Sequence, residues 1–171
     1  MVVLQRHGGK GSGCRGGRLK RIGVISDTHG LLRPEAIAAL RGVELIIHAG
    51  DIGRPEIISQ LCAIAPTFAV RGNVDTQAWA ADLPEQGAVR MGKLLCWVLH
   101  DISRLDVDPV AAGFAAVVCG HSHRPRIATR QGVVYLNPGS AGPRRFRLPV
   151  TVARLNVSAR TIRPEILTLA P

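Results

Sequence analysis

The sequence predicts an α/β fold whose second half is mostly β-structure. Two observations carry this. Between residues 21 and 71, short aliphatic segments alternate with helical segments of about ten residues, the pattern of βαβ units with parallel strands. After residue 85 the helical segments nearly vanish, and strand-like runs follow one another with turn residues between them. Composition agrees with one globular domain: 171 residues, 46% hydrophobic and 20% charged. With only 4% aromatic residues, the core has to be aliphatic.

Each element has a local cause. Arg21–Ser26 (RIGVIS) reads as a strand, Pro34–Arg41 (PEAIAALR) as a helix, and Glu44–Ala49 (ELIIHA) as a second strand. Pro55–Ala65 (PEIISQLCAIA) is a second helix and Thr67–Arg71 a third strand. Both helices start on proline, whose fixed φ and missing N–H suit the first helical turn. Gly87–Met91, Lys93–His100, Ala115–Cys119, Arg126–Arg130, Val133–Asn137, Val150–Val157 and Thr161–Leu169 are the later strands. Gly92, Gly132 and Ser158–Ala159 supply hairpin turns, and a short helix is expected at about Asp108–Ala112.

The formal charge of +10 and pI near 10.9 raise a nucleic-acid partner as an expectation. Six of the basic residues, however, fall in residues 1–21: Arg6, Lys10, Arg15, Arg18, Lys20 and Arg21, with no acid among them. Residues 1–20 therefore read as a basic, Gly-rich, disordered tail, and residues 21–171 as a single domain. No apolar run approaches the roughly 18 residues of a membrane span, and no apolar core follows the N-terminal charges. Cys14, Cys62, Cys96 and Cys119 form no CxxC pair, which argues against a disulfide framework; three of them lie in apolar stretches, as buried thiols do. A cytoplasmic protein without a membrane partner is the expectation.

The chemistry lies past the strand ends, where α/β sheets build their sites. Five segments end in Ser26-Asp27-Thr28-His29-Gly30, Gly50-Asp51, Gly72-Asn73-Val74-Asp75, His100-Asp101 and Gly120-His121-Ser122-His123. Glycine permits sharp turns and close approach. Along an extended segment, Asp-x-His and His-x-His point both side chains the same way. Asp27, His29, Asp51, Asn73, His100, His121 and His123 thus form a mixed N/O donor set without thiolate, suited to two divalent ions, Mn or Fe first, with Zn or Ni as alternatives. His48, inside a strand, reads as a supporting or core residue, and His7 in the tail carries no role.

These motifs, together with Asn137-Pro138-Gly139-Ser140, resemble the calcineurin-like metallophosphoesterase superfamily, in its small YfcE-like phosphodiesterase branch. The resemblance runs from about Arg21 to the C-terminus. It implies a four-layer αββα sandwich with a binuclear metal site at one edge of two sheets. It also implies a division of ligands: Asp27, His29, Asp51 and His123 for one metal, with Asp51 bridging to a second completed by Asn73, His100 and His121. Two divalent ions, Mn²⁺ foremost, about 3.5–4 Å apart lower the pKa of a bridging water, so the expected reaction is attack of that hydroxide on a small phosphate ester, a phosphodiester above all. Asp51 and Asn73 are the expected catalytic positions. A homodimer is compatible with the resemblance.

Two positions depart from the family pattern. Val74 follows the GN dipeptide where relatives have a histidine thought to act as general acid, and Asp101-Ile102 replaces a Gly-His pair after His100. Asp75 reads equally as an acceptor for a ligand histidine or as a turn residue. The acidic stretch Asp101–Asp108 reads as a solvated connection. The NPGS turn is expected to aim backbone donors at the metals, and Arg144 is chosen from Arg144, Arg145 and Arg147 to grip the phosphate. Competing readings are a non-catalytic binding scaffold of the same fold and a nuclease.

Overall fold

The computed structural model describes residues 19–145 and 147–169. The expected tail therefore lies outside the described residues, save Leu19 and Lys20. Lys20 is no tail residue: it opens the first strand, paired with Val157. In chain order the elements are β1 (Lys20–Ile25), α1 (Pro34–Ala39), β2 (Leu45–His48), α2 (Pro55–Cys62), β3 (Thr67–Ala69), β4 (Gln86–Met91) and β5 (Leu94–Leu99). They continue with β6 (Ala116–Val118), β7 (Arg126–Arg130), β8 (Val133–Asn137), β9 (Thr151–Val157) and β10 (Ile162–Thr168). Both helices begin on their proline, with Glu35 or Glu56 in the first turn, where the helix dipole favours an acid.

Two mixed five-stranded sheets result, in the orders β10-β9-β1-β2-β3 and β4-β5-β6-β8-β7. The period of two in the strands distributes their side chains between layers. In β1, Val24 enters the core between the sheets, whereas Ile25 faces the helices. Ile47 and Ile46 divide the same way in β2, and Ala153 and Val152 in β9. Ala116 and Val118 of β6 meet the first sheet, and Val117 between them faces outward. The inner layer is aliphatic, as the scarcity of aromatics requires; each fully buried Leu, Ile or Val contributes about 1.5–3 kcal/mol.

Helices α1 and α2 cover the outer face of the first sheet through Ala36, Leu40, Ile57 and Leu61. The outer layer of the second sheet is thinner. Leu99, Val117, Cys119 and Val133 are covered by Trp97, Leu105 and Tyr135. The helix expected at Asp108–Ala112 is a single turn. Ala112 N–H donates to Asp108 O at 2.9 Å, and Phe114 N–H to Pro109 O at 2.8 Å, but Gly113 adopts φ +73° and ends it. The layers are those of an αββα sandwich whose fourth layer is built from turns. Cys62, Cys96 and Cys119 are free; Cys96 and Cys119 are buried, while Cys62 is exposed because it ends α2 on the solvent side.

Strands β1, β2 and β3 run parallel, as do β5, β6 and β8, so each sheet sends three carboxyl ends to one edge. The loops there are stitched together. Asp27 N–H donates to Gly50 O (3.0 Å), His29 N–H to Asp51 O (2.9 Å) and Gly120 N–H to His100 O (2.9 Å). Asp75, buried, accepts from three backbone amides: Ile52 (3.1 Å), Gly53 (2.8 Å) and Gly72 (2.8 Å). Of its two expected roles it takes that of a loop residue; it bonds no histidine. Asn137 donates to Gly120 O (2.6 Å) and Ser122 Oγ (3.1 Å), and Ser140 Oγ donates to Asp27 O (2.9 Å). The expectation that the NPGS turn aims donors at metals is corrected here. Gly139 N–H is taken by Asn137 Oδ1, and Ala141 N–H by Ser26 O, so these groups brace the loops that carry the ligands.

Removing the Asp75 carboxylate strands three backbone donors. Asp75→Ala is expected to lower stability by about 3 kcal/mol, read as a lower urea midpoint at unchanged slope. A midpoint equal to the parent's would show that the clamp is not holding these loops.

Candidate metal centre

Asp27, His29, Asp51 and His123 converge at the common edge: one donor atom from each lies within 4.8 Å of the others. His29 Nε2 stands 3.2 Å from His123 Nε2 and 3.8 Å from Asp51 Oδ2, and His123 Nε2 is 3.2 Å from Asp27 Oδ1. A second group lies beside it. His100 Nε2 faces Asp51 Oδ1 at 3.4 Å, and the His100 and His121 rings meet edge-on with centroids 5.2 Å apart. Asn73 Nδ2 donates to His121 Nδ1 at 3.4 Å. All seven residues expected from the sequence therefore gather at one place, with Asp51 touching both groups.

The backbone shows what this placement demands. Asp27, His29, Asp51, His121 and His123 all have φ between 45° and 68°; Gln131, in a hairpin turn, is the sixth such non-glycine residue among those described. This region disfavours L-residues, by about 1–3 kcal/mol each, and such strain gathers at functional sites. It also corrects the alternation argument. Residues 27–29 and 121–123 are not extended, and His121 and His123 diverge: His123 joins Asp27 and His29, while His121 turns to Asn73 and His100. Two glycines are required for close approach. A Cβ on Gly72 would overlap the backbone and carboxylate of Asp51, and one on Gly120 would overlap Ser26 Oγ.

Electrostatics tests whether the residues suit a cation. Asp27 is fully buried, and neither carboxylate oxygen has a hydrogen-bond partner. Burial pushes its pKa up to about 6. Burial also works to raise Asp51, but the adjoining His100 imidazole, the Val74 N–H (3.0 Å) and His29 outweigh it and hold its pKa at about 2. Burial lowers His29, and burial and Arg145 lower His123 to about 4, so both rings are neutral and keep a lone pair. His100 Nδ1–H donates to Ala49 O at 2.7 Å, which turns Nε2 toward Asp51 Oδ1 at 3.4 Å; burial works to lower the His100 pKa, but Asp51 and Ala49 O outweigh it and raise it. An unbonded buried carboxylate facing neutral imidazoles fits a divalent cation.

Around the ligands, His48 is a core residue, as expected. It bonds Thr28 Oγ1 (3.0 Å) and accepts from Gly50 N–H (3.2 Å), and burial lowers its pKa to about 3. Of the arginines expected near the phosphate, Arg145 lines a hollow of about 180 Å³ with His121, Ser122, His123 and Leu148, and Arg144 lies outside it; both are exposed. Three arginines within four residues carry no periodicity that would distinguish them. On the other side a cleft of about 560 Å³ opens beside Asn73 and His100. Asp101, Arg104 and Asp106 form part of its wall, and the Asp101–Asp108 stretch is largely exposed, as a solvated connection is. No helix among the described residues is long and apolar enough to cross a membrane.

Known proteins are similar to this chain in sequence and in fold. The chain is 34% identical over 158 residues to a probable metallophosphoesterase of Methanothermobacter thermautotrophicus, covering 85% of this chain and 91% of the relative. An archaeal phosphodiesterase of known structure superposes with a TM-score of 0.71 at 25% identity, covering 86% of this chain and 99% of that one. Vacuolar Protein Sorting 29 from Cryptosporidium parvum superposes with a TM-score of 0.72 at 16% identity, covering 88% and 98%, a likeness of fold alone. The family model for the calcineurin-like phosphoesterase superfamily domain matches residues 21–160. A buried donor cluster at the shared edge of two sheets, carried on that family's own motifs, places this chain in the calcineurin-like phosphoesterase superfamily.

Proposed function

We propose that the protein is a phosphodiesterase dependent on two divalent ions, Mn²⁺ foremost, acting on a small phosphate ester. The observation that carries this is the convergence of Asp27, His29, Asp51 and His123 beside Asn73, His100 and His121. A pair of bound cations supplies electrophilic activation of the phosphoryl group and a nucleophilic water. The chain's own groups do the rest. Asp51 presents Oδ2 to the first group and Oδ1 to the second, and so fixes their spacing. Ala49 O holds the His100 tautomer through Nδ1–H. Asn73, exposed at the mouth of the cleft, orients the phosphate, and Arg145 on the opposite side supplies a guanidinium for a phosphoryl oxygen.

Val74 has no proton to give a leaving alkoxide, so good leaving groups should be favoured. Its side chain is 46% exposed, and its contribution to the site is the backbone N–H bonded to Asp51. The scaffold reading has no such use for the cluster.

Chelation should abolish hydrolysis of bis-p-nitrophenyl phosphate, and Mn²⁺ should restore it to a higher kcat/KM than the monoester shows. Asp51→Asn is expected to lower that activity by about 100-fold or more. Full Mn²⁺-dependent activity in that variant would remove Asp51 from the site, and the absence of turnover on every ester would favour a scaffold. Arg145→Ala should raise KM about five- to tenfold, whereas Arg144→Ala leaves it within about twofold; the reverse order would restore Arg144 to the role. Val74→His should raise rates on alkyl esters about tenfold, with little change on nitrophenyl esters, as added general-acid catalysis requires. Equal effects on both leaving groups would count against a missing acid.

A further inference from the structure

The two sides of the ligand cluster differ in charge, and the difference bears on the ester's alcohol. Beside His29 and His123 stands Arg145. Beside His100 and Asn73 lies the larger cleft, about 560 Å³, a volume suited to a small organic group. His100, 4% exposed, borders this cleft, and its Nε2 faces Asp51 Oδ1 at 3.4 Å, so the cleft adjoins the ligand cluster.

The cleft wall bears Glu85, Asp101 and Asp106 against Arg71 and Arg104. Arg71 is already paired with Glu85 at 2.6 Å. Among the described residues, neither Asp101 nor Asp106 has an ion-pair partner. Asp101 Oδ1 accepts from Ser103 N–H at 2.9 Å, and both Asp106 oxygens accept from the Gln86 amide at 3.0 Å. Arg104 is the remaining guanidinium, and with Asp75 the wall holds four carboxylates against two guanidiniums. An anion in this cleft meets repulsion, whereas hydroxyls and cations find acceptors.

We propose that this cleft holds the leaving alcohol and selects one without negative charge, so that the substrate class is a phosphodiester of a neutral or cationic alcohol. The inference rests on the phosphoesterase reading above. In the reaction one water is consumed: its oxygen forms the new bond to phosphorus, the bond to the alcohol oxygen breaks, and the alcohol departs with a proton from that water. The reacting phosphate stays on the ligand cluster, so the wall charges act on the alcohol alone. A polynucleotide, with a further phosphate on its leaving alcohol, is disfavoured by the same wall.

The test uses the full chain with Mn²⁺ and the methyl phosphodiesters of choline, ethylene glycol and glycolate, three small alcohols that differ in charge. The glycolate ester is expected to show kcat/KM about tenfold below the other two. In the double variant Glu85→Gln, Asp106→Asn the gap should shrink to about twofold, with folding checked by the thermal midpoint. As a readout independent of turnover, NMR titration of metal-free protein with choline and with glycolate should shift the Gln86, Asp101 and Arg104 amides with choline only. Equal kcat/KM for the three esters, discrimination that survives in the double variant, or equal shifts with glycolate would each overturn the charge selection. Failure to hydrolyse these esters and bis-p-nitrophenyl phosphate alike would instead overturn the phosphoesterase reading, and the proposal with it.

Discussion

Asp27 sets the terms for the rest of the molecule. Its carboxylate is fully buried with both oxygens unbonded, at the carboxyl end of the central strand of the first sheet. A buried charge without a partner is among the costliest features a fold can hold. Burial pushes the carboxyl up to about 6, which Ser26, His100 and the His121 backbone relieve only in part; the facing His29 and His123 are kept neutral chiefly by their own burial. What they offer instead is lone pairs. The arrangement is unfavourable as a salt bridge and well suited to a cation.

Holding such groups together requires a rigid frame. Five ligand residues occupy a backbone region that costs each of them about 1–3 kcal/mol. Left alone, those loops would relax. They are held by the two sheets, whose parallel strands deliver the loops, and by polar clamps made from residues that bind no metal. Asp75 ties the loop after β2 to the loop after β3, and Asn137 and Ser140 tie the loop after β8 to those after β6 and β1. Strain at the centre and satisfied hydrogen bonds around it are two parts of one device.

The strands, both helices and the gathering of seven polar residues at one edge were legible because each leaves a short-range mark: aliphatic runs, proline at a helix start, and Asp, Asn or His just after a strand. Assigning the ligands to two groups was not legible from spacing. Alternation in His121-Ser122-His123 assumes extended backbone, and φ values of 68° and 57° break it; only the family resemblance set the two histidines apart. The clamp role of Asp75 depends on amides 22 and 23 residues away, which no local pattern reveals. Arg145 rather than Arg144 faces the ligands for a similar reason, since the direction of a loop is set by tertiary packing. The helix expected at Asp108–Ala112 failed on one residue, Gly113, whose left-handed φ ends the turn.

Charge is where sequence and structure differ most in scale. A net +10 points to a polyanion partner, yet the larger of the two hollows described at the site is lined by more carboxylates than guanidiniums. The two facts are compatible because local potential depends on which charges line a cavity, with distant ones screened over about 8–10 Å. The same reasoning applies at the centre of the site. A buried carboxylate and five residues in a disfavoured backbone region would relax unless something held them, and a cation among the donors of Asp27, His29, Asp51 and His123 would hold them.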